Sequence, residues 1–340
     1  MLRAEISLRH EVDRAPMKIG FIGLGNVGAQ LAGSLARNGF DLTVFDLAPA
    51  AVEKLVAKGA RAASGPADLA RDQDMVITCL PSPAASAAVM EGEGGVLEAL
   101  KPGAIWAEMS TTDSAEVQRL GARVAEVGGL PIDCPVSGGC HRAATGNISI
   151  FAGCERAAFE AALPALKAMG RRLLHTGPLG SASVLKVVTN YLATANLLSV
   201  CEALTVSAKA GMDLGTAYEA IRISSGNSFV HETESQVILN GSRDINFTMD
   251  LVLKDIGLFN GLAERIGAPL ELGPLFQQIF EDGAERYGPR EWSPNIIKRL
   301  EEAAQVSVLA EGFPAQMVDD EPEVEGEEVR RTPAPAPAAE

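Results

Sequence analysis

The sequence predicts a two-part fold: an α/β domain with a doubly wound parallel sheet, followed by an all-α domain. Three observations carry this. Between Lys18 and about Pro178, short apolar runs alternate with amphipathic stretches and Gly/Pro turns, the pattern of strands alternating with helices. A glycine-rich turn separates the first apolar run from the first helical pattern. After Gly180 the chain turns to long, apolar, helically spaced stretches.

Taken in order, residues 1–16 form an N-terminal extension, MLRAEISLRHEVDRAP. It carries Glu5, Glu11 and Asp13 and lacks an apolar centre, so it resembles neither a secretory signal nor an acid-poor transit peptide, and Met17 is a candidate functional start. Residues 17–178 hold the expected strands KIGFIG, DLTVFD, DMVITCL, AIWAEMS and ISIFAG. Helices are expected at NVGAQLAGSLARN, SAEVQRLGARVAEV and RAAFEAALPALKAM. Residues 179–304 are expected to be all-helical. There SASVLKVVTNYLATANLLSVCEALTVSAKA lacks Gly and Pro and reads as one helix, about 45 Å long at about 1.5 Å per residue. Its apolarity on nearly every side predicts packing against several helices and a subunit interface, hence a homodimer or homotetramer. Residues 305–340, with DDEPEVEGEE and RRTPAPAPAAE, are expected to be a disordered tail because acidic, proline-rich sequence offers no apolar period.

Composition narrows the function classes. The 340 residues are 47% hydrophobic, enough for two cores. A formal net charge of -15 opposes a nucleic-acid surface, which needs clustered Lys and Arg. No run of 18 or more apolar residues reads as a membrane span. The five cysteines are odd in number and lack C-x-x-C spacing, arguing against a disulfide framework or zinc site and for reduced thiols in the cytoplasm. Nor does any cluster have metal-ligand spacing, so no metal is expected.

The turn KIGFIGLGNVG sets Gly23, Gly25 and Gly28 in G-x-G-x-x-G spacing between strand and helix, with Asn26 and Val27 completing the loop. Gly23 permits the tight turn, Gly25 lets a pyrophosphate approach the backbone, and Gly28 allows close helix packing. This is the signature of a Rossmann dinucleotide site. At about the expected 20-residue distance, the second strand ends on Asp46, whose carboxylate suits ribose hydroxyls and repels a 2′-phosphate. NAD is therefore the expected cofactor. Leu80 with Pro81, and Ser110 with Thr111, end further strands at the same edge and are expected to flank it.

Three more segments complete a pattern: DCPVSGG followed by ATGN at 133–147, LGSASVLKVVTN at 179–190, and FTMDLVLKDIGL at 247–258. With GLGNVG, they resemble the β-hydroxyacid dehydrogenase family over roughly Met17 to Ala304. The resemblance implies a small hydroxy acid substrate, oxidised with NAD. It implies that Ser137, Gly138 and Gly139 grip the substrate carboxylate, that Lys186 is the catalytic general base and that Asn190 orients the substrate. On a helix, Lys186 and Asn190 share a face at i and i+4. Lys254 matches a family lysine near cofactor and substrate, and Thr111 lies in a segment near the nicotinamide, although Glu108 stands where the family usually has Asp.

Other departures bear on the substrate. Arg142, Ala182 and Thr189 replace residues usual in the family. Arg142 is a candidate fork for a second anionic or polyol group, or else a surface arginine. His231, in GNSFVHET, is a candidate substrate contact in the helical domain, with a partly exposed loop histidine as the alternative. Competing activities are reduction of a small aldehyde acid and non-catalytic dinucleotide binding. An imine reductase fits less well, since such relatives generally replace the lysine.

Overall fold

The structure, a computed structural model, describes residues 17–330, so the N-terminal extension 1–16 lies outside them. Ten strands form one sheet: β1 (Lys18–Ile22), β2 (Asp41–Phe45), β3 (Arg61–Ala62), β4 (Met75–Thr78), β5 (Ile105–Glu108), β6 (Leu130–Asp133), β7 (Val136–Ser137), β8 (Ile148–Gly153), β9 (Gly170–Gly177) and β10 (Glu327–Glu328). Their order is β10-β9-β8-β6-β5-β4-β1-β2-β3, with β7 paired to β8. From β3 to β6 every pairing is parallel, and the order reverses direction at β1. Ligands of doubly wound sheets collect at the carboxyl ends of strands around such a switch point. The five strands expected from apolar runs are β1, β2, β4, β5 and β8. The others lack that signal, as β3 is two exposed residues and β9 is rich in Arg, His and Gly.

Buried β-branched and aliphatic side chains of β1, β2 and β4 pack under the helix Gly28–Arg37, which inserts Leu31, Ala32 and Leu35 at helical spacing. A second core holds the helical domain together. It gathers Leu197, Val200, Cys201 and Leu204 with Ile238, Met249, Ile256 and Phe280. The helix Ser181–Lys209 is unbroken over 29 residues, as its sequence predicts. By length and composition alone it is apolar enough to cross a bilayer. Here it is the spine of the helical domain, packed against the helices Phe229–Asn240 and Met249–Ile266 and against β8.

That spine is tied to the sheet by a carboxylate. Asp133, at the end of β6, accepts bonds from the backbone N–H and the hydroxyl of Ser183 at 2.6 and 2.7 Å. The first turn of a helix carries unsatisfied amides and a positive dipole end, so a buried acid there is satisfied locally. Burial nevertheless raises Asp133 to about 6.

The expectation of a disordered tail from 305 is corrected for residues 305–330. Val308 is fully buried, Ala310 N–H donates to Leu239 C=O at 2.9 Å, and Asn240 donates to Phe313 C=O at 2.8 Å. Beyond Met317 the acidic run lies along the sheet edge and ends as β10, parallel to β9. Its carboxylates meet scattered cations: Glu323 meets Arg37, Glu325 meets Lys167, Glu327 meets Arg172 and Glu328 meets Arg156. Exposed ion pairs contribute only about 0–1 kcal/mol each. Their number and the added strand pairing hold the segment. Residues 331–340 lie outside the described residues.

Candidate active site

At the carboxyl end of β1 the glycine turn is dictated by space. A Cβ at Gly28 would fall 2.0 Å from the Gly23 carbonyl oxygen, and one at Gly23, whose φ is +96°, would fall 2.3 Å from that of Cys79. Gly25 is different. It is exposed and a Cβ there would meet nothing within 4 Å, leaving the backbone open to a ligand. No side chain caps the following helix, whose amides from Ala29 on are taken by the carbonyls of Gly25 and Val27, so an anion would be met by the amides of the turn itself. Asn26 is exposed in the turn and reaches Asn246 C=O in the helical domain at 3.4 Å, while Val27 supplies the carbonyl that starts the helix.

Asp46 closes this site on the β2 side. Its carboxylate accepts the N–H of Leu24 at 2.6 Å and that of Ala48 at 2.7 Å, which aims it across the glycine turn. A carboxylate keeps further lone pairs for ribose hydroxyls. On the other side, Ser110 Oγ accepts the N–H of Leu80 at 2.7 Å, joining the ends of β4 and β5 and setting Leu80 and exposed Pro81 at the rim. Glu108 lies beneath, buried, with its carboxyl raised by desolvation and one oxygen accepting Ser110 N–H at 2.9 Å. These residues fit a dinucleotide: an open glycine, the amides of the turn and a ribose-facing acid.

The catalytic candidates form one connected network. Lys186 is 8% exposed and donates to Asn190 Oδ1 at 2.8 Å, the i to i+4 pairing its helix implies. The Asn190 amide in turn donates to Asp255 Oδ2. Asp255 is buried and ion-pairs with Lys254 at 2.7 Å, and Lys254 Nζ crosses to the sheet edge to reach Thr111 C=O at 2.9 Å. Burial pulls Lys186 down to about 8; Asp255 opposes that shift and Lys254 adds to it. Desolvation disfavours the ammonium, and here it outweighs the one nearby carboxylate.

Asp255 is a functional candidate that the sequence does not single out. No sequence pattern sets it apart, because its inward direction depends on where the helix Met249–Ile266 docks.

The second glycine turn, Ser137–Gly139, leaves β7 and opens a six-residue helix, Gly139–Ala144. Gly138 and Gly139 have φ of +126° and +87°, conformations that side chains disfavour. Ser137 is half-buried and Gly139 exposed. Arg142 packs its guanidinium 5.0 Å from the Phe229 ring centre and meets Glu321 at 3.4 Å. It is therefore already paired to the C-terminal segment.

His231 is neither the substrate contact nor the partly exposed loop histidine that the sequence offered, but a buried helix residue. It is 1% exposed, and its ring nitrogens meet Ser235 Oγ at 3.1 Å and Tyr218 C=O at 3.0 Å inside the helical domain. The helix Phe229–Asn240 turns His231 inward and presents Phe229 instead, which stacks with His141 at 6.5 Å. Loop-like flanks hid that helical phase. Among the described residues, no group of three His, Cys, Asp or Glu side chains forms a metal cage.

Known proteins share this fold. Residues 18–177 match the family model described as the NAD binding domain of 6-phosphogluconate dehydrogenase, and residues 180–300 match that described as the NAD-binding of NADP-dependent 3-hydroxyisobutyrate dehydrogenase. The chain is 36% identical over 293 residues to 2-(hydroxymethyl)glutarate dehydrogenase of Eubacterium barkeri, covering 86% of this chain and 97% of that one. It is 32% identical to the NAD-dependent L-serine dehydrogenase of Pseudomonas aeruginosa, covering 85% and 99%. A solved 3-hydroxyisobutyrate dehydrogenase from Salmonella typhimurium superposes with a TM-score of 0.77 at 28% identity, covering 83% and 99%. With the glycine turn, the helical domain and these relatives in agreement, the chain belongs to the β-hydroxyacid dehydrogenase family of NAD-binding oxidoreductases.

Proposed function

We propose that this protein oxidises the hydroxyl of a small β-hydroxy acid with Lys186 as general base. The observation that carries the reading is Lys186 itself, buried, held by Asn190 and lowered to about 8. Bound NAD supplies the hydride acceptor. Lys186 takes the hydroxyl proton as the C–H bond breaks, and its lowered pKa makes that transfer feasible near neutrality. Asn190, fixed between Lys186 and Asp255, holds the ammonium in one place and offers its amide to the substrate. Ser137 and the amides of Gly138 and Gly139 grip the carboxylate. Lys254, Thr111, Leu80 and Pro81 line the nicotinamide side, and Asn26, Val27, Gly28 and Asp46 hold the rest of the cofactor.

One feature favours the reverse reaction as a second reading. With a pKa of about 8, Lys186 still carries its proton in much of the protein at pH 7, ready to donate it during reduction of an aldehyde acid. Both directions use the same atoms. The deciding experiment is a panel of 3-hydroxyisobutyrate, 2-(hydroxymethyl)glutarate, L-serine, glycerate and threonate, assayed with NAD and NADP in both directions. Failure of every acid and its aldehyde would refute the reading.

The apolar residues Leu185, Leu192 and Val206 stay exposed along the long helix, which supports a homodimer or homotetramer built on it; light scattering tests this. The five free cysteines support a reducing, cytoplasmic setting.

A further inference from the structure

The family models end at residue 300, and the ordered segment beyond them crosses from one domain to the other at the second glycine turn. On the helical domain it is held by Ser242 Oγ, which donates to Ala315 C=O at 2.6 Å, and by Gln316, which donates to Asp244 at 2.8 Å. Met317 then closes a small cleft with Cys140, His141 and Asp244–Asn246. Two residues later Asp319 accepts from Thr145 and, at 2.8 Å, from Asn147. Asn147 also donates to Glu321 C=O at 2.9 Å, and the Glu321 carboxylate pairs with both Arg142 and Arg171.

These contacts fall where the local chain is least able to hold itself. The helix Gly139–Ala144 is too short to be stable alone, and it is joined to β7 through two glycines of positive φ. Its inner face is seated by Ala143, buried in the core, and by Ser34 and Arg37, which donate to the carbonyls of Ala143 and Ala144; its outer face is left to the C-terminal segment. Its far end is gripped by Asp319 and Glu321 through Arg142, Thr145 and Asn147, and its near side by Phe229 through His141 and Arg142.

We propose that residues 313–328 are a clasp that sets the Ser137–Gly139 turn against the helical domain, with Asp319 and Glu321 as positioning residues for substrate capture. Glu323 of the clasp also pairs with Arg37 at the far end of the helix that follows the Gly23–Gly28 turn, whereas Asp319 and Glu321 bond outside the segment only to residues 142–147 and Arg171, so these two act on the acid and not on NAD. The proposal rests on the reading that Ser137–Gly139 grip a carboxylate.

The test compares the double variant Asp319→Asn/Glu321→Gln with Glu325→Gln/Glu327→Gln, which removes charges from the same segment without touching residues 139–147. Hydrogen exchange of the free protein and steady-state kinetics are read on both. The first variant is expected to exchange the amides of 139–147 at least about tenfold faster. It should raise KM for an accepted hydroxy acid about fivefold or more, with kcat and KM for NAD within about twofold. The control should move neither. Equal effects in both variants, or faster exchange with an unchanged KM, overturn the proposal. Should no acid be turned over, unchanged exchange alone still refutes the clasp. Turnover with unchanged exchange refutes it while leaving the proposed function standing.

Discussion

The two sides of the cleft are built by different means. On the cofactor side, Asp46 and the turn it braces are 22 positions apart, and each glycine is required by a nearby carbonyl or by open space. On the catalytic side, Lys254 and the Thr111 carbonyl it reaches are 143 positions apart, and Lys186 depends on Asn190 and Asp255 for its setting. The cofactor side is therefore a matter of local sterics. The catalytic side is a matter of balanced charges brought from separate segments, so its chemistry is the more easily tuned.

Substitution of Lys186 separates the two sides most sharply. A positioned general base contributes about 10²–10⁴-fold, so Lys186→Met is expected to lower kcat by at least about a hundredfold. NAD affinity should be unchanged, since the proposed pyrophosphate and ribose contacts lie at the ends of β1 and β2, away from Lys186. Lys186→Arg should be equally poor because a guanidinium does not release its proton. Hydride transfer near the wild-type rate in stopped flow would break the comparison, as would a matching loss of NAD affinity in titration.

Asp46 probes the opposite side with a smaller effect. The wild-type protein is expected to prefer NAD to NADP by at least about tenfold in kcat/KM, since a charge-assisted bond is worth about 1.5–3 kcal/mol. Comparable efficiency with both cofactors would remove Asp46 from its assigned role. The Asp46→Ala ratio should approach one, with KM for the acid unaltered.

The charge balance around Lys186 makes a prediction about pH. Oxidation needs the neutral amine, so log kcat/KM for the acid should rise with pH and level off above about 8. Asp255 pushes Lys186 up, so Asp255→Asn should move that rise to lower pH; Lys254 pushes it down, so Lys254→Met should move it higher. Opposite displacements in the two profiles would sharpen the assignment. A displacement in the same direction would show that one of the two charges does not act through Lys186.

What was legible in the sequence follows the same division. The glycine turn, Asp46 and the Lys186–Asn190 pair are short-range patterns, and the structure realises their spacing directly. Asp255 was not, because its inward direction depends on where the Met249–Ile266 helix docks. The ordered C-terminal segment was not, because its cations, Arg37, Arg142, Arg156, Lys167, Arg171 and Arg172, look like ordinary surface charge until the sheet aligns them. A segment poor in apolar residues can be held by complementary charge that composition alone does not reveal.

His231 provides the finest test, because a histidine beside a cleft and a histidine inside a core predict different losses. Both ring nitrogens are committed to Ser235 and Tyr218, and the ring tilts against Tyr218 at 4.6 Å. His231→Phe keeps the ring volume but removes a second bond to the Tyr218 carbonyl and leaves the buried Ser235 hydroxyl without its ring partner, costing about 1–3 kcal/mol. Thermal unfolding should therefore shift down by several degrees, roughly 2–4 °C per kcal/mol for a domain of this size class. KM for the acid should stay within about twofold of wild type, since a lost substrate bond would be worth a larger change. A raised KM with an unmoved melting temperature would return His231 to the substrate side of the cleft.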